Sequence, residues 1–265
     1  MLILLPPSEG KTRPESGPTL NPDALHFPEL AGARKEVLAA LMDVSSATDA
    51  HEVLGVGASL AAEVQRNTVL ENEPCAPAHR IYSGVLYDAL GHATLTPAQQ
   101  QAAEDAVVVV SALWGAIGFG DAIPAYRLSM GTNLPGCGRL AAFWKAALAE
   151  PLGRHSEGHL VVDCRSSTYA AAWQPVPQNT AAVNVFQLRG GERKVVSHFA
   201  KHTRGELARH LLTRSGNAPS TVEELRSAAA EKWEAELVPP AGRKPWQLNL
   251  ILPEDRQGGP AGKRS

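Results

Sequence analysis

The feature that most constrains the fold is the run AVVVVSAL at residues 106–113, which is apolar at every position except its serine. A strand that is apolar on both faces has to be covered on both faces, as in the central strands of a sheet flanked by helices. Two further runs, MLILL at residues 1–5 and HLVVDC at residues 159–164, have similar character. These runs predict a central sheet with helices on both sides.

The rest of the chain supplies helices, one hairpin and a long loop. A Gly-Gly pair at residues 190–191 predicts the tip of a hairpin, and the Gly- and Pro-rich residues 115–138 predict a loop. Helical patterns and start signals lie at residues 33–43, 49–55, 97–105, 139–152, 203–212 and 220–233. We expect an α/β (α+β) fold with a mixed central sheet and flanking helices. It would form a single domain over residues 1–253 with a helical insertion near residues 33–70, followed by a disordered tail at residues 254–265.

Net charge, cysteine content and the length of apolar runs limit the classes of function that this chain can have. The 265 residues carry a net charge of -2, so a contact with nucleic acid would need a local basic patch. Three widely spaced cysteines without a CxxC motif argue against a disulfide framework and a structural zinc site, and indicate reduced thiols in the cytoplasm. No apolar run approaches the length of about 18 residues that a membrane span needs. We expect no metal, no cofactor and no membrane contact.

The stretch LGVGASLAAEV at residues 54–64 follows the pattern of a helix-hairpin-helix unit. Gly55 and Gly57 would leave backbone amides uncovered, and the N-terminus of the second helix, near Ser59, would attract a phosphate. Such a contact positions a protein on a nucleic-acid backbone without reading bases. The alternative is an ordinary helical hairpin in which the glycines serve packing.

The segment PPSEGKT at residues 6–12 follows the first strand. Ser8 and Lys11 have the S-x-x-K spacing of serine acyl-transferases, but the other motifs of those enzymes are missing. Open α/β sheets bind ligands at the carboxyl ends of their strands, where partial burial would lower the pKa of Lys11 and allow Schiff-base chemistry. The alternative is a solvated loop lysine.

Three later segments add candidate ligand-binding residues. Trp114 and Tyr126 could stack on a base or belong to the core, Arg127 could bind a phosphate, and Asp121 or Asp163 could serve as the charge partner of Lys11. In SHFAKHTRGELARHLL, we expect a strand, then three basic side chains, then a helix. Cations at a helix N-terminus oppose the macrodipole, which suggests a bound anion there. The residues are Lys201, His202 and Arg204.

Together these segments resemble the YaaA family of bacterial peroxide-stress proteins, in the order MLILLPPSEGKT, YSGVLYDAL, VSALWGAIGFGDAIPAYRLSMG, FWKAAL, VVDCRSSTYA and VVSHFAKHTRG. The resemblance implies a cantaloupe-like mixed α/β fold with a helix-hairpin-helix element and a positively charged cleft. It also implies cytosolic DNA binding, protection of DNA during peroxide stress and lowered free iron. Matching positions are Lys11, Thr12, Gly84, Ser111, Gly115, Asp121, Tyr126, Arg127, Met130, Trp144, Tyr169, Lys201, Arg204 and Gly205.

Three functions follow as hypotheses. The first is a protein that binds double-stranded DNA without sequence preference, through Arg127, the basic residues near Lys201 and the glycine hairpin. The second is an enzyme acting on a nucleobase, a nucleotide or a DNA lesion, with Lys11 as nucleophile. The third is a regulator that acts through protein contacts, with the hairpin serving packing alone.

Overall fold

The computed structural model describes residues 1–195 and 197–254, in which groups of helices are separated by single strands or groups of strands. The strands are β1 Leu2–Leu5, β2 Ala76–Pro77, β3 Val107–Ser111, β4 Gly115–Gly118, β5 Ala122–Ile123, β6 Asn133–Leu134, β7 Gly138–Arg139, β8 Val161–Asp163, β9 Thr180–Arg189, β10 Glu192–Val195, β11 Glu234–Val238 and β12 Trp246–Leu252. The α-helices are α1 Ala31–Ser46, α2 Ala50–Leu54, α3 Ala61–Arg66, α4 Ala78–Ile81, α5 Val85–Leu90, α6 Pro97–Ala106, α7 Leu140–Ser156, α8 Ser167–Ala170, α9 Ser197–Thr213 and α10 Val222–Ala229.

The central sheet has eight strands, with the path β11-β12-β9-β8-β1-β3-β4 and β10 paired to β9. β1 is parallel to β3 on one side and to β8 on the other, and β8, β9 and β12 continue the parallel part. β4, β10 and β11 run antiparallel to their neighbours. The three apolar runs thus form adjacent, fully buried strands in the middle of the sheet. The prediction of a mixed α/β fold with a central sheet and flanking helices is confirmed.

Local signals in the sequence explain the start of α6. Thr96 accepts a hydrogen bond from the Gln99 amide, the Gln99 side chain accepts one from the Thr96 amide, and Pro97 occupies the first turn. The helix start predicted at residue 220 falls close to the observed start of α10 at Val222. Thr221 caps α10 by accepting from the Glu224 amide, while Ser220 donates to the Glu224 carboxylate.

Two predicted boundaries are wrong. Residues 115–138 are not one loop, because they contain β4 to β7, three of which are only two residues long. The strand before Lys201 is also shorter than predicted, since α9 begins at Ser197 and includes Lys201, His202 and Arg204. The predicted disordered tail lies outside the described residues except for Glu254.

α9 packs closely against α5, and Gly205 makes this approach possible. A Cβ atom at Gly205 would lie 2.1 Å from the carbonyl oxygen of Leu86 and 2.9 Å from Cβ of Ala89. Only glycine permits so short a distance between two helix backbones. The contact fixes the position of the α9 turn that carries Lys201 and Arg204.

The chain is helical for most of the stretch from α1 to the 3₁₀ turn Asn67–Asn72. Within it, α2 ends at Gly55 in the left-handed conformation, and a 3₁₀ turn at Ala58–Leu60 leads into α3. The helix-hairpin-helix prediction is not confirmed, since α2 and α3 have only five and six residues. Within the described residues, no helix combines the length and hydropathy required to cross a bilayer.

Candidate functional site

A cavity of about 260 Å³ lies at the carboxyl ends of β1 and β8. The connection from β1 leads to the neighbouring strand β3, whereas the connection from β8 leads to β9, which lies in the opposite direction along the strand order. Ligands of open α/β sheets bind at such points, where the strand order reverses. The walls come from residues 6–10 after β1, residues 83–87 at the start of α5, Cys164, Ser166 and Tyr169 after β8, and Lys201 and Arg204 of α9.

Lys201 and Arg204 bring two positive charges to this cavity from successive turns of α9. Nε and Nη2 of Arg204 both donate to the carbonyl oxygen of Val183 in β9, at 3.1 and 2.7 Å. These bonds fix the guanidinium, and its Nη1 group makes no other hydrogen bond within the described residues. The exposed ammonium of Lys201 and the fixed guanidinium of Arg204 suit an anion. Because α9 begins at Ser197, Lys201 and Arg204 lie beyond its first turn and not at the helix N-terminus, where the sequence suggested a bound anion.

Lys11 lies half-buried behind the loop that forms the cavity wall. Its Nζ donates to the carbonyl oxygens of Ser8, at 2.8 Å, and Glu9, at 3.4 Å. The same atom lies 4.3 Å from the centre of the Tyr126 ring and 5.7 Å from that of Tyr82. The ammonium is thus held between two carbonyl groups and two aromatic rings, which favours one orientation of the side chain.

The surroundings of Lys11 destabilise the protonated, charged form of its amine. Burial lowers the pKa of Lys11 to about 7, Glu9 and Glu63 oppose this effect, and the positive charge of Arg127 adds to it. A substantial fraction of the amine is therefore neutral near pH 7, and a neutral amine can act as a nucleophile or a base.

Arg127 joins the same cluster from the loop after β5. Its guanidinium lies 3.3 Å from the Glu9 carboxylate and 3.6 Å from the Glu63 carboxylate of α3, and Nη1 also donates to the Glu9 carbonyl oxygen at 3.1 Å. The Arg127 amide donates to the Asn67 side chain at 2.9 Å. Arg127 thus neutralises Glu9 at the cavity wall, so that Lys201 and Arg204 face a less acidic loop.

The Ser8 hydroxyl shapes the loop and is not paired with Lys11. It donates to the carbonyl oxygen of Gly10 and accepts from the Ser83 amide at 3.0 Å. Tyr87 ties the same loop down by donating from its hydroxyl to the carbonyl oxygen of Pro6 at 2.7 Å. These contacts give the S-x-x-K spacing a structural explanation without an acyl-transferase dyad.

The segment after β8 is held by a buried ion pair. The Asp163 carboxylate accepts from Nε and Nη2 of Arg165, at 2.8 and 2.7 Å, and the Arg165 side chain is fully buried. Asp163 therefore pairs with Arg165 and not with Lys11, the partner suggested by the sequence. Next to this pair, burial raises the pKa of the Cys164 thiol to about 12, which keeps the thiol protonated at the cavity wall.

The Asp121 carboxylate forms its hydrogen bonds with residues other than Lys11. Its carboxylate accepts from the amides of His26 and Gly118, both at 3.0 Å, and contacts the His26 ring. It closes the turn after β4 and is 5% exposed. The predicted role of Asp121 as the charge partner of Lys11 is thereby corrected, because Glu9 and Glu63 are the carboxylates near that lysine.

Trp114 and Tyr126 belong to the core. They are 1% and 3% exposed and meet edge to face, with ring centres 6.1 Å apart. The Tyr126 hydroxyl forms hydrogen bonds with the hydroxyls of Ser111, at 2.7 Å, and Tyr82, at 3.1 Å. Both rings are therefore too deeply buried for the predicted stacking on a base. Tyr126 instead packs against the ammonium group of Lys11.

The remaining predicted residues lie outside the cavity wall. Gly55, Gly57 and Ser59 are exposed on the α2–α3 hairpin, whose Glu63 contacts Arg127 and so links the hairpin to the cluster. His202 lies 3.4 Å from Glu206 on its own helix. The four basic side chains of Lys11, Arg127, Lys201 and Arg204 gather around residues 8–10, whereas His202 does not line the cavity.

Sequence reasoning missed several residues of the site. Glu9 stands within a motif that was recognised, but its ion pair with Arg127 spans 118 positions. Ser83 lies in a segment that carries the family resemblance, YSGVLYDAL, and that resemblance was the only signal that could have found it. The sequence analysis predicts no metal site and does not name His79, His92 and Glu104. These three side chains lie close to one another in a neighbouring cavity.

Comparison with known proteins gives the family. The family model described as peroxide stress protein YaaA matches residues 1–237. A UPF0246 protein of Streptomyces coelicolor is 44% identical over 261 residues, covering 96% of this chain and 99% of the relative. A UPF0246 protein of Corynebacterium efficiens is 44% identical over 228 residues, covering 84% and 89%. One from Methylibium petroleiphilum is 30% identical over 234 residues, covering 83% and 88%. These matches confirm the resemblance, and the chain belongs to the YaaA family of peroxide stress proteins.

Proposed function

We propose that this protein binds double-stranded DNA through its phosphates, without sequence preference, and protects it in the cytoplasm during peroxide stress. The observation that carries the proposal is the gathering of Lys201, Arg204, Lys11 and Arg127 around one loop at the carboxyl ends of β1 and β8. Limitation of free iron would follow indirectly from this protective role.

The charges at the cavity favour an anion despite the overall charge of -2. Lys201 and Arg204 line the cavity together with Glu9, and Glu9 is paired with Arg127. The local balance is therefore positive, and a phosphate could accept charge-assisted hydrogen bonds from Arg204 and Lys201. Contacts of this kind bind the backbone and carry no sequence information.

Binding of a labelled duplex to wild-type protein and to Lys201→Gln/Arg204→Gln tests the proposal. Each charge-assisted hydrogen bond contributes about 1.5–3 kcal/mol, so we expect the double variant to bind roughly 100-fold more weakly at low salt. Lys232→Gln is the matched control, because Lys232 is exposed and lies outside the cavity wall. Equal affinity of the double variant and the wild type would contradict the proposal.

A second candidate function is favoured by the lowered pKa of Lys11. In this alternative, the protein processes a DNA lesion or a nucleotide. The neutral Lys11 amine adds to the aldehyde carbon of an abasic sugar, and loss of water leaves an iminium ion that joins Nζ to that carbon. The cavity cations would hold the flanking phosphate.

Borohydride trapping on a duplex with one abasic site tests this alternative, because hydride reduces the iminium ion to a stable amine. We expect a covalent protein–DNA adduct with wild-type protein and Lys232→Gln, and none with Lys11→Ala. Wild-type trapping by Lys11→Ala would exclude Lys11 as the nucleophile. Trapping by none of the three proteins would leave only the binding function.

A further inference from the structure

A second cavity, of about 650 Å³, lies on the other side of Ser83 and Tyr87 from the first one. His79, His92 and Glu104 line it, and one possible ligand atom from each lies within 4.8 Å of the other two. Nε2 of His79 is 3.8 Å from a carboxylate oxygen of Glu104. This is the one group of three possible metal ligands within the part of the chain that the structure describes.

Three separate elements hold these side chains in place. His79 is in α4, and its amide donates to the carbonyl oxygen of Phe119 at 3.1 Å. The His92 carbonyl oxygen accepts from the Leu95 amide at 3.1 Å and from the Gln100 side chain at 3.3 Å. Glu104 lies on α6, whose start is fixed by a capping box. The cluster is therefore built on fixed backbone, as a metal site requires.

His92 gives an independent indication of a ligand. It is 9% exposed, and its buried Nε2 has no hydrogen-bond partner within the described residues. A buried polar atom that lacks a partner costs about 1–3 kcal/mol. The His79 and His92 rings also stack, with centres 3.8 Å apart, and one nitrogen atom of each ring lies within 4.8 Å of the other and of a Glu104 carboxylate oxygen. A metal ion would satisfy the unpaired nitrogen.

We propose that His79, His92 and Glu104 bind a divalent transition-metal ion such as Zn²⁺. Two imidazole nitrogens and one carboxylate oxygen are the ligand set of several catalytic zinc sites and of the facial triad of non-haem iron proteins. Hard cations such as Mg²⁺ and Ca²⁺ prefer sites made of oxygen ligands alone. With three protein ligands, the remaining coordination positions would face the cavity. This site is independent of the proposed DNA contact.

Calorimetric titration of chelator-treated protein with Zn²⁺ tests the proposal, with Mg²⁺ as the comparison ion. We expect one Zn²⁺ per chain in the wild type. His92→Gln and Glu104→Gln should weaken binding by at least about tenfold, since even indirect disturbance of metal ligands has effects of that size. His159→Gln is the matched control, because His159 is exposed and outside the cluster.

Cobalt provides a readout that does not depend on the calorimetry. Co²⁺ bound to the two histidines and the glutamate should give visible absorption bands in the wild type and in His159→Gln, and weaker bands in Glu104→Gln. Glu104 is partly exposed on α6, so this variant remains informative if His92→Gln fails to fold. Absence of Zn²⁺ binding by the wild type would overturn the site, as would wild-type affinity in Glu104→Gln or equal binding of Zn²⁺ and Mg²⁺.

Discussion

At the scale of single residues, Lys11 shows how position in the sheet sets chemistry. The lysine follows β1, where the chain turns over the sheet edge, and its Nζ lies among carbonyl groups and aromatic rings rather than in water. Its location after a buried strand could be predicted from the sequence. Its neighbours could not, because Tyr126, Glu63 and Arg127 come from distant segments whose packing no local pattern specifies.

The lowered pKa of Lys11 has a consequence for stability. The folded protein binds fewer protons at Lys11 than the unfolded chain between pH 7 and 10.5, so the contribution of this residue to the free energy of unfolding rises with pH across that window. Lys11→Met removes the titration. We expect the stability of the wild type relative to Lys11→Met, measured by urea denaturation, to increase from about pH 7 to pH 10.

The matched control for this experiment is Lys145→Met, which changes an exposed lysine on α7. The change with pH should be larger for the pair of wild type and Lys11→Met than for the pair of wild type and Lys145→Met. A constant difference between the wild type and Lys11→Met would show that the amine titrates alike in the folded and unfolded states.

At the scale of elements, α9 depends on its close contact with α5. Gly205→Ala would place Cβ 2.1 Å from the Leu86 carbonyl oxygen, so the two helices would have to move apart. We expect a loss of about 1–3 kcal/mol in the free energy of unfolding, the usual cost of overpacking. Denaturant midpoints measure the change.

Gly153→Ala is the control, because Gly153 lies in α7 and its added Cβ would meet no atom within 4 Å. We expect this variant to gain about 0.5–1 kcal/mol, as alanine favours a helix more than glycine does. If Gly205→Ala were as stable as the wild type, the close packing of α9 on α5 would be contradicted.

The α2–α3 hairpin gives a test that separates DNA contact from packing. Gly57 is exposed, has φ of -74°, and offers ample space for a side chain, so Gly57→Glu should fold normally. If the hairpin approaches phosphates, the added negative charge should weaken duplex binding by roughly tenfold or more.

Gly153→Glu introduces the same charge on α7 and should leave DNA affinity unchanged. Unchanged affinity in Gly57→Glu would assign the hairpin to packing or to protein contacts. The cavity residues alone would then carry any DNA binding.

The sequence predicted long elements better than short ones. Continuous apolar runs gave β1, β3 and β8, and a capping box located the start of α6. β5 to β7 have two residues each, too few for any periodic pattern. The start of α9 was missed because Val195, Val196 and Phe199 favour a strand by propensity, whereas the chain is helical from Ser197.

At the scale of the whole molecule, the order of strands creates the candidate site. β8 follows β3 and β4 in the chain but lies on the opposite side of β1, and this reversal opens the cavity between their carboxyl ends. The sequence identifies the strands but does not state their order in the sheet. It names Lys11, Arg127, Lys201 and Arg204 as candidates, and the strand order places them around residues 8–10.

The most direct test of this account is the salt dependence of duplex binding by the wild type and by Lys201→Gln/Arg204→Gln. Each phosphate contact contributes about -0.9 to the slope of log K against log salt concentration. We expect a clear negative slope for the wild type and a slope about 1.8 units shallower for the double variant. Equal slopes for the two proteins, or affinity that does not change with salt, would contradict the claim that these cations bind DNA phosphates.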